Sequence, residues 1–211
     1  MTHKQKKTNL VWIDLEMTGL DPKTCTILEI GVIITDSNLN LVDEGPFIAL
    51  HHNAKVLRSM EAWSKDHHKR SGLTDACRAS KISLKKAENQ VLDFIKAHCY
   101  QKTAPLCGNT IWQDRRFLVK YMQRLESYLH YRVIDVSSIK ELVGRWYPID
   151  HKMPRLKYQT HRVTEDIHES TEELKYYREK VFTPPRVSAR GANNATLSHE
   201  TRGGVIPHLK K

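Results

Sequence analysis

The chain has 211 residues, 39% hydrophobic and 27% charged, the size and make-up of one folded domain with a real core. Its formal net charge of +10 points to an anionic partner, nucleic acid before an acidic membrane surface, and speaks to attraction rather than to chemistry. No apolar run approaches the length of a membrane span, so no membrane partner is expected.

In chain order, the basic segment 1–8 lacks the apolar stretch of a secretory signal. Residues 9–17 read as a strand, with Val11, Ile13 and Leu15 alternating against Trp12, Asp14 and Glu16. A turn over 18–22 leads to a β-branched strand at 27–35, and a third strand at 39–50 is expected to be irregular at Gly45-Pro46. No element is assigned to the polar stretch before residue 83. Residues 83–99 have helical spacing, with Leu84, Ala87, Val91, Phe94, Ile95 and His98 on one face. Then come a short strand at 105–109, a helix at 113–129, a strand at 131–135 and a helix at 137–146. A loop with Pro148 and Pro154 precedes a last helix at 166–182. A three-strand meander followed by alternating helices and strands implies an α/β fold, a mixed sheet flanked by helices.

After Phe182 aromatics cease and prolines, glycines and polar residues dominate, so 183–211 reads as a disordered basic tail beyond a 9–182 domain. That tail carries five basic residues against Glu200 alone, which leaves the folded part basic too. Cys25, Cys77, Cys99 and Cys107 form no C-x-x-C pair, the pattern of reduced thiols in an intracellular protein. A cytoplasmic or mitochondrial setting is expected, with no clear leader in this sequence.

Asp14-Leu15-Glu16 supplies the first chemical clue. Residues two apart on a strand share a face, so both carboxylates emerge together from an otherwise apolar strand. Like charges so close repel, and a hard divalent cation would relieve them. Alone, the pair reads first as a solvated face of an edge strand. Asp114 and Asp166 sit at helix starts, where either is an ordinary first-turn acid, and His161 alone is any surface histidine. Together, four carboxylates at element ends and one histidine in a basic chain suit two-metal phosphodiester hydrolysis, with the histidine taking a proton.

The order Asp14, Glu16, Asp114, Asp166, with His161 five residues before the last, resembles the histidine subclass of the DEDD exonucleases. The segments VWIDLEMTGL at 11–20, Gly108-Asn109, Gln113-Asp114, His130-Tyr131-Arg132, Asp135-Val136-Ser137 and His161-Arg162 narrow the resemblance to the oligoribonucleases, over residues 9–182. Leu39-Asn40-Leu41 and WSKDHHKRSGL at 63–73 look closer to the animal branch, a small-fragment nuclease.

The resemblance implies a ribonuclease H-like fold, a homodimer and 3′→5′ hydrolysis of very short single-stranded RNA. It implies that Asp14, Glu16, Asp114 and Asp166 hold two divalent cations, Mg²⁺ or Mn²⁺, with His161 as general base. Leu20 and Trp63 would sandwich terminal bases, which suits an enzyme indifferent to sequence. His68 would touch substrate. Thr110, Arg132 and Ser137 would cap the 5′ phosphate, with Tyr131 contributed by the partner subunit. No obligate protein partner is inferred. The alternatives are a related exonuclease of longer single strands, and a catalytically weak RNA-binding homologue. Trp112 and Val163 depart from the usual smaller residues of the family, and trimming Val163 to Ala is expected to raise turnover.

Overall fold

Alternation along the first strand gives the sheet two unlike faces, and each recruits its own helices. The computed structural model describes residues 5–147 and 162–182; His161, the loop prolines and the 183–211 tail lie outside them. Strand β1 (Leu10–Met17) pairs antiparallel with β2 (Ile27–Thr35), which pairs antiparallel with β3 (Leu41–Ala49). This is the expected meander. The β2–β3 register jumps from Gly31↔Phe47 to Ile33↔Glu44. Gly45 and Pro46 thus oppose Val32 alone, a bulge where proline needs no ladder partner. Strands β4 (Leu106–Gly108) and β5 (Val133–Asp135) add in parallel beyond β1, giving the order β3-β2-β1-β4-β5.

Helices supply the crossovers that parallel pairing requires. They are α1 (Ala54–Arg58), α2 (Ala62–Arg70), α3 (Leu73–Ala79), α4 (Leu84–His98), α5 (Ile111–Tyr121), α6 (Gln123–Tyr128), α7 (Val136–Trp146) and α8 (Val163–Lys180). Val11, Ile13 and Leu15 point into a core with Val91 and Ile95 of α4, Phe117 and Leu118 of α5 and Leu125 of α6. Trp12 points the other way, to Val136 and Val143 of α7 and Ile167 and Tyr177 of α8. Its indole N–H is not orphaned there, since it donates to Thr35 Oγ1 at 2.9 Å. The two-residue period therefore places Asp14 and Glu16 on the face that α8 covers.

Ser83 caps α4 by accepting from the Lys86 amide, at the expected start. Three departures from the sequence reading stand out. Helices α1, α2 and α3 occupy the stretch left unassigned, pinned to β2 by Leu57, Met60, Leu73 and Cys77 around Leu28. The helix expected over 113–129 is two, broken at Met122 (φ −135°, ψ 57°). The last helix begins at Val163, a turn earlier than expected, behind an extended Arg162.

Candidate active site

Strand β4 is short, and that shortness shapes the site. It pairs with β1 only at Val11 and Trp12, so among the described residues no strand meets the Leu15 amide farther along. A buried amide needs an acceptor. Asp114, in the first turn of α5, provides it: its Oδ1 accepts from Leu15 N at 3.0 Å. Asp114 is thereby drawn, buried, to the backbone between Asp14 and Glu16.

Asp166 arrives from the opposite face. It lies in the first turn of α8, and its amide donates to the Arg162 carbonyl at 3.1 Å. One carboxylate oxygen from each of Asp14, Glu16 and Asp166 lies within 4.8 Å of the others. Three of the four expected carboxylates are thus gathered into one cluster, while Asp114 stands beside it with one oxygen engaged by Leu15.

Such crowding is costly for the charged forms. Burial, then the charge of Asp114, then those of Glu16, Asp166 and Glu29, push the Asp14 carboxyl well above the ordinary carboxylate range. Burial foremost, then Asp166, Glu29 and Asp114, raise Glu16 to about 8, against a smaller lowering by Arg162. Asp114 is pushed up to about 8, mainly by burial, and its backbone hydrogen bonds offset part of this. Acidic oxygens forced together and away from water are the donor set that a hard divalent cation takes. The residues fit such an ion.

Past the end of β1, two apolar side chains are exposed. Leu20, past the end of β1, is 65% exposed, and Trp63 on α2 is 68% exposed. Gln113 Nε2 donates to the Leu20 carbonyl, and the Glu61 amide at the start of α2 donates to the Thr18 carbonyl at 2.9 Å. Both residues are thereby tied to the same end of β1. Trp63 stacks on His67, with centroids 4.5 Å apart and planes 8° apart. His68, expected to touch substrate, lies under the cluster. It is 1% exposed, held by the Met17 carbonyl at 2.9 Å from Nε2, with Nδ1 3.8 Å from Glu16 Oε2. Its ring backs Glu16 from inside, because α2 folds down onto the strand end.

Thr110 and Ser137 come together as expected, their hydroxyls 3.1 Å apart. Thr110 has φ 51°, a left-handed conformation that a β-branched residue adopts only when its surroundings enforce it. The enforcement is visible: its amide donates to Asp135 Oδ1 at 3.0 Å and to Ser137 Oγ at 2.9 Å. Tyr131 and Arg132 precede β5, at the end of that strand away from Ser137, and both are exposed, with the guanidinium 5.4 Å from the Tyr131 ring centre.

Two groups were given no role in the sequence reading. Asn109 joins the Thr110 corner to α8, accepting from Ser137 Oγ at 3.0 Å and donating to Ser170 Oγ at 2.9 Å and Glu173 Oε2 at 3.1 Å. Glu29 is a buried acid in an otherwise apolar strand, the same signal that flagged Asp14.

A mixed sheet whose central strand carries paired acids, with further acids at two helix starts, defines a class of nucleases, and sequence comparison agrees. Residues 11–174 match the family model described as Exonuclease. The oligoribonuclease of Shewanella loihica is 52% identical over 177 residues, covering 83% of this chain and 97% of that protein. That of Dichelobacter nodosus is 49% identical over 180 residues, covering 85% and 98%. The chain belongs to the oligoribonuclease family. Among solved structures, product-bound exonuclease I superposes with a TM-score of 0.64 at 14% identity, covering 83% of this chain and 44% of that one. E. coli exonuclease I in complex with a dT13 oligonucleotide gives 0.65 at 12% identity, covering 82% and 41%. The chain spans less than half of those enzymes, and the likeness establishes the ribonuclease H-like fold.

Proposed function

We propose that this chain is a 3′→5′ exoribonuclease that hydrolyses dinucleotides and slightly longer RNA fragments to nucleoside monophosphates. The convergence of Asp14 and Glu16 from β1 and Asp166 from the helix that covers that face of the sheet onto one point carries the reading. The half-identity to oligoribonucleases, along nearly their whole length, supports it.

Asp14, Glu16 and Asp166 would hold divalent cations, Mg²⁺ or Mn²⁺, and Asp114, with one oxygen spoken for by Leu15, would complete the set for two. When bound, such ions polarise the phosphate and activate a water. The remaining work belongs to the protein. His161 takes the proton of the attacking water, a role suited to a group that titrates near neutrality. Leu20 and Trp63 grip the terminal bases from their exposed faces. The Thr110–Ser137 hydroxyl pair and Arg132 receive the 5′ phosphate, which closes the groove and confines substrates to short length. Tyr131 of the partner subunit joins that cap in a homodimer. An intracellular setting, cytoplasmic or mitochondrial, suits four free and buried cysteines.

The test compares hydrolysis of a 5′-labelled RNA dinucleotide and a strand of roughly 20 nucleotides, with Mn²⁺, with Mg²⁺ and with chelator, beside an Asp14→Ala variant. Metal-dependent cleavage that favours the dinucleotide and is lost in the variant is expected. Preferential trimming of the longer strand would remove the phosphate cap. Absence of turnover on both would leave a binding homologue.

A further inference from the structure

Glu29 has no evident place in the reaction, yet it stands next to it. It lies on β2 directly across from Glu16, so both side chains leave the sheet on one face. At 2% exposure, an additional acid beside an acidic cluster is a liability unless it is paired. The pairing is two-pronged: Arg162 Nε donates to Oε2 at 2.8 Å and Nη2 donates to Oε1.

Arg162 is the extended residue that opens α8, its carbonyl accepts from the Asp166 amide, and His161 precedes it covalently. We propose that Glu29 and Arg162 form a positioning pair that locks the backbone between His161 and Asp166 onto the sheet beside Glu16. The pair sets the reach of two groups at once, the base on one side of Arg162 and a cation-holding carboxylate on the other. A fork-to-carboxylate contact fixes direction as well as distance, which a single-pronged Lys–Glu pair does not. The Arg162 charge also offsets part of the repulsion that Glu29 adds at Glu16.

The inference rests on the reading of His161 as base, and its test separates the two. The full chain is assayed with an RNA dinucleotide and Mn²⁺ as Glu29→Gln, Arg162→Gln, the double variant, Arg162→Lys and His161→Ala. All are assayed below their unfolding temperatures, with the folded fraction checked by circular dichroism. Each single break of the pair is expected to lower kcat by roughly tenfold or more with KM within about threefold, because misplacement of reacting groups acts on the chemical step. The double variant is expected to be no worse than the worse single, since partners acting as a unit are not additive. Arg162→Lys is expected to recover only part of the rate. Mn²⁺ affinity, read by calorimetry, is expected to weaken severalfold in Arg162→Gln through Asp166. Unchanged kcat, additive losses, or losses that merely follow the folded fraction would overturn the pair. Full turnover in His161→Ala would remove the base assignment alone, leaving the pair to be decided by Mn²⁺ affinity.

Discussion

At the scale of single residues, function and stability pull against each other in the acidic cluster. Asp14, Glu16 and Asp114 each hold their protons more tightly than a free carboxylate, above all because they are buried. Replacing Asp14 by Asn keeps the shape and removes one of the crowded charges. The expected outcome is a metal-free protein that melts several degrees higher, with dinucleotide turnover lower by about a thousandfold. Thermal unfolding in chelator and a Mn²⁺ assay measure both halves; a variant that melts lower would show the charge to be otherwise compensated. The same crowding fixes a pH dependence. For Glu16 the folded value, about 8, lies above the ordinary 4.5. Between those values the folded chain keeps a proton that the unfolded chain has lost, so the stabilisation is complete below the lower value and gone above the upper. Metal-free protein is therefore expected to lose stability as pH rises from about 5 to about 8.5. Mn²⁺, which binds the deprotonated oxygens, should raise the melting temperature more at the upper end of that window than at the lower. Equal Mn²⁺ shifts at both ends would count against it.

At the scale of elements, what was legible in the sequence tracks how strongly each segment alternates. Strands β1 and β2 carry long apolar patterns that allow one reading, and α4 carries its helical stripe with a serine cap. Helices α1 to α3 were not legible, because short and largely polar turns take their stability from Leu28 and its neighbours rather than from their own periodicity. The break at Met122 was hidden for a related reason, since Phe117, Leu118 and Leu125 continue inward on both sides of it. The acids were readable as types and spacings, whereas the Leu15–Asp114 bond was not, as it depends on where β4 stops. Helix α8 shows how packing at this scale reaches the site. Val163 is fully buried and lies over Gly31, where an added methyl would meet Phe47 at 2.8 Å, Val163 at 2.9 Å and Ile167 at 3.0 Å. The bulk of Val163 is thus accommodated by the glycine beneath it. Gly31→Ala is expected to cost about 1–3 kcal/mol by overpacking and to lower turnover by lifting Asp166; chemical denaturation and the dinucleotide assay measure these. Val163→Ala is expected to cost about 1–2 kcal/mol through the space it leaves, with turnover no higher than the parent's. A rate increase would restore the view that the valine constrains the site.

At the scale of the whole molecule, the exposed apolar residues are unevenly placed. Tyr131 precedes the edge strand β5, Val133 lies on it, Leu142 and Trp146 lie on α7, and Trp112 and Val119 lie on α5, which packs against β5. Arg116 covers one part of this surface, with its guanidinium 5.6 Å from the Trp112 ring centre. Exposed aromatics with arginine, beside a strand that is the sheet's edge among the described residues, have the composition of an interface core rather than of a solvated rim. The proposed homodimer would use this edge of the sheet with its flanking helices, and would bring Tyr131 of the partner subunit to the Thr110–Ser137 corner. Leu142 and Trp146 stand one helical turn apart on α7 and share a side. Both are exposed, so glutamates there cost the isolated fold little, about 0.5 kcal/mol each, yet would place like charges across a two-fold interface. The parent chain is expected to sediment at twice its 24.5 kDa mass, and Leu142→Glu/Trp146→Glu as a folded single chain with weakened hydrolysis of the dinucleotide. The loss should fall on KM for 5′-phosphorylated substrates, because the cap loses a donor while the acidic cluster keeps every residue. A parent that sediments as one chain at full activity would end the dimer proposal and leave the cap to Thr110, Arg132 and Ser137 alone.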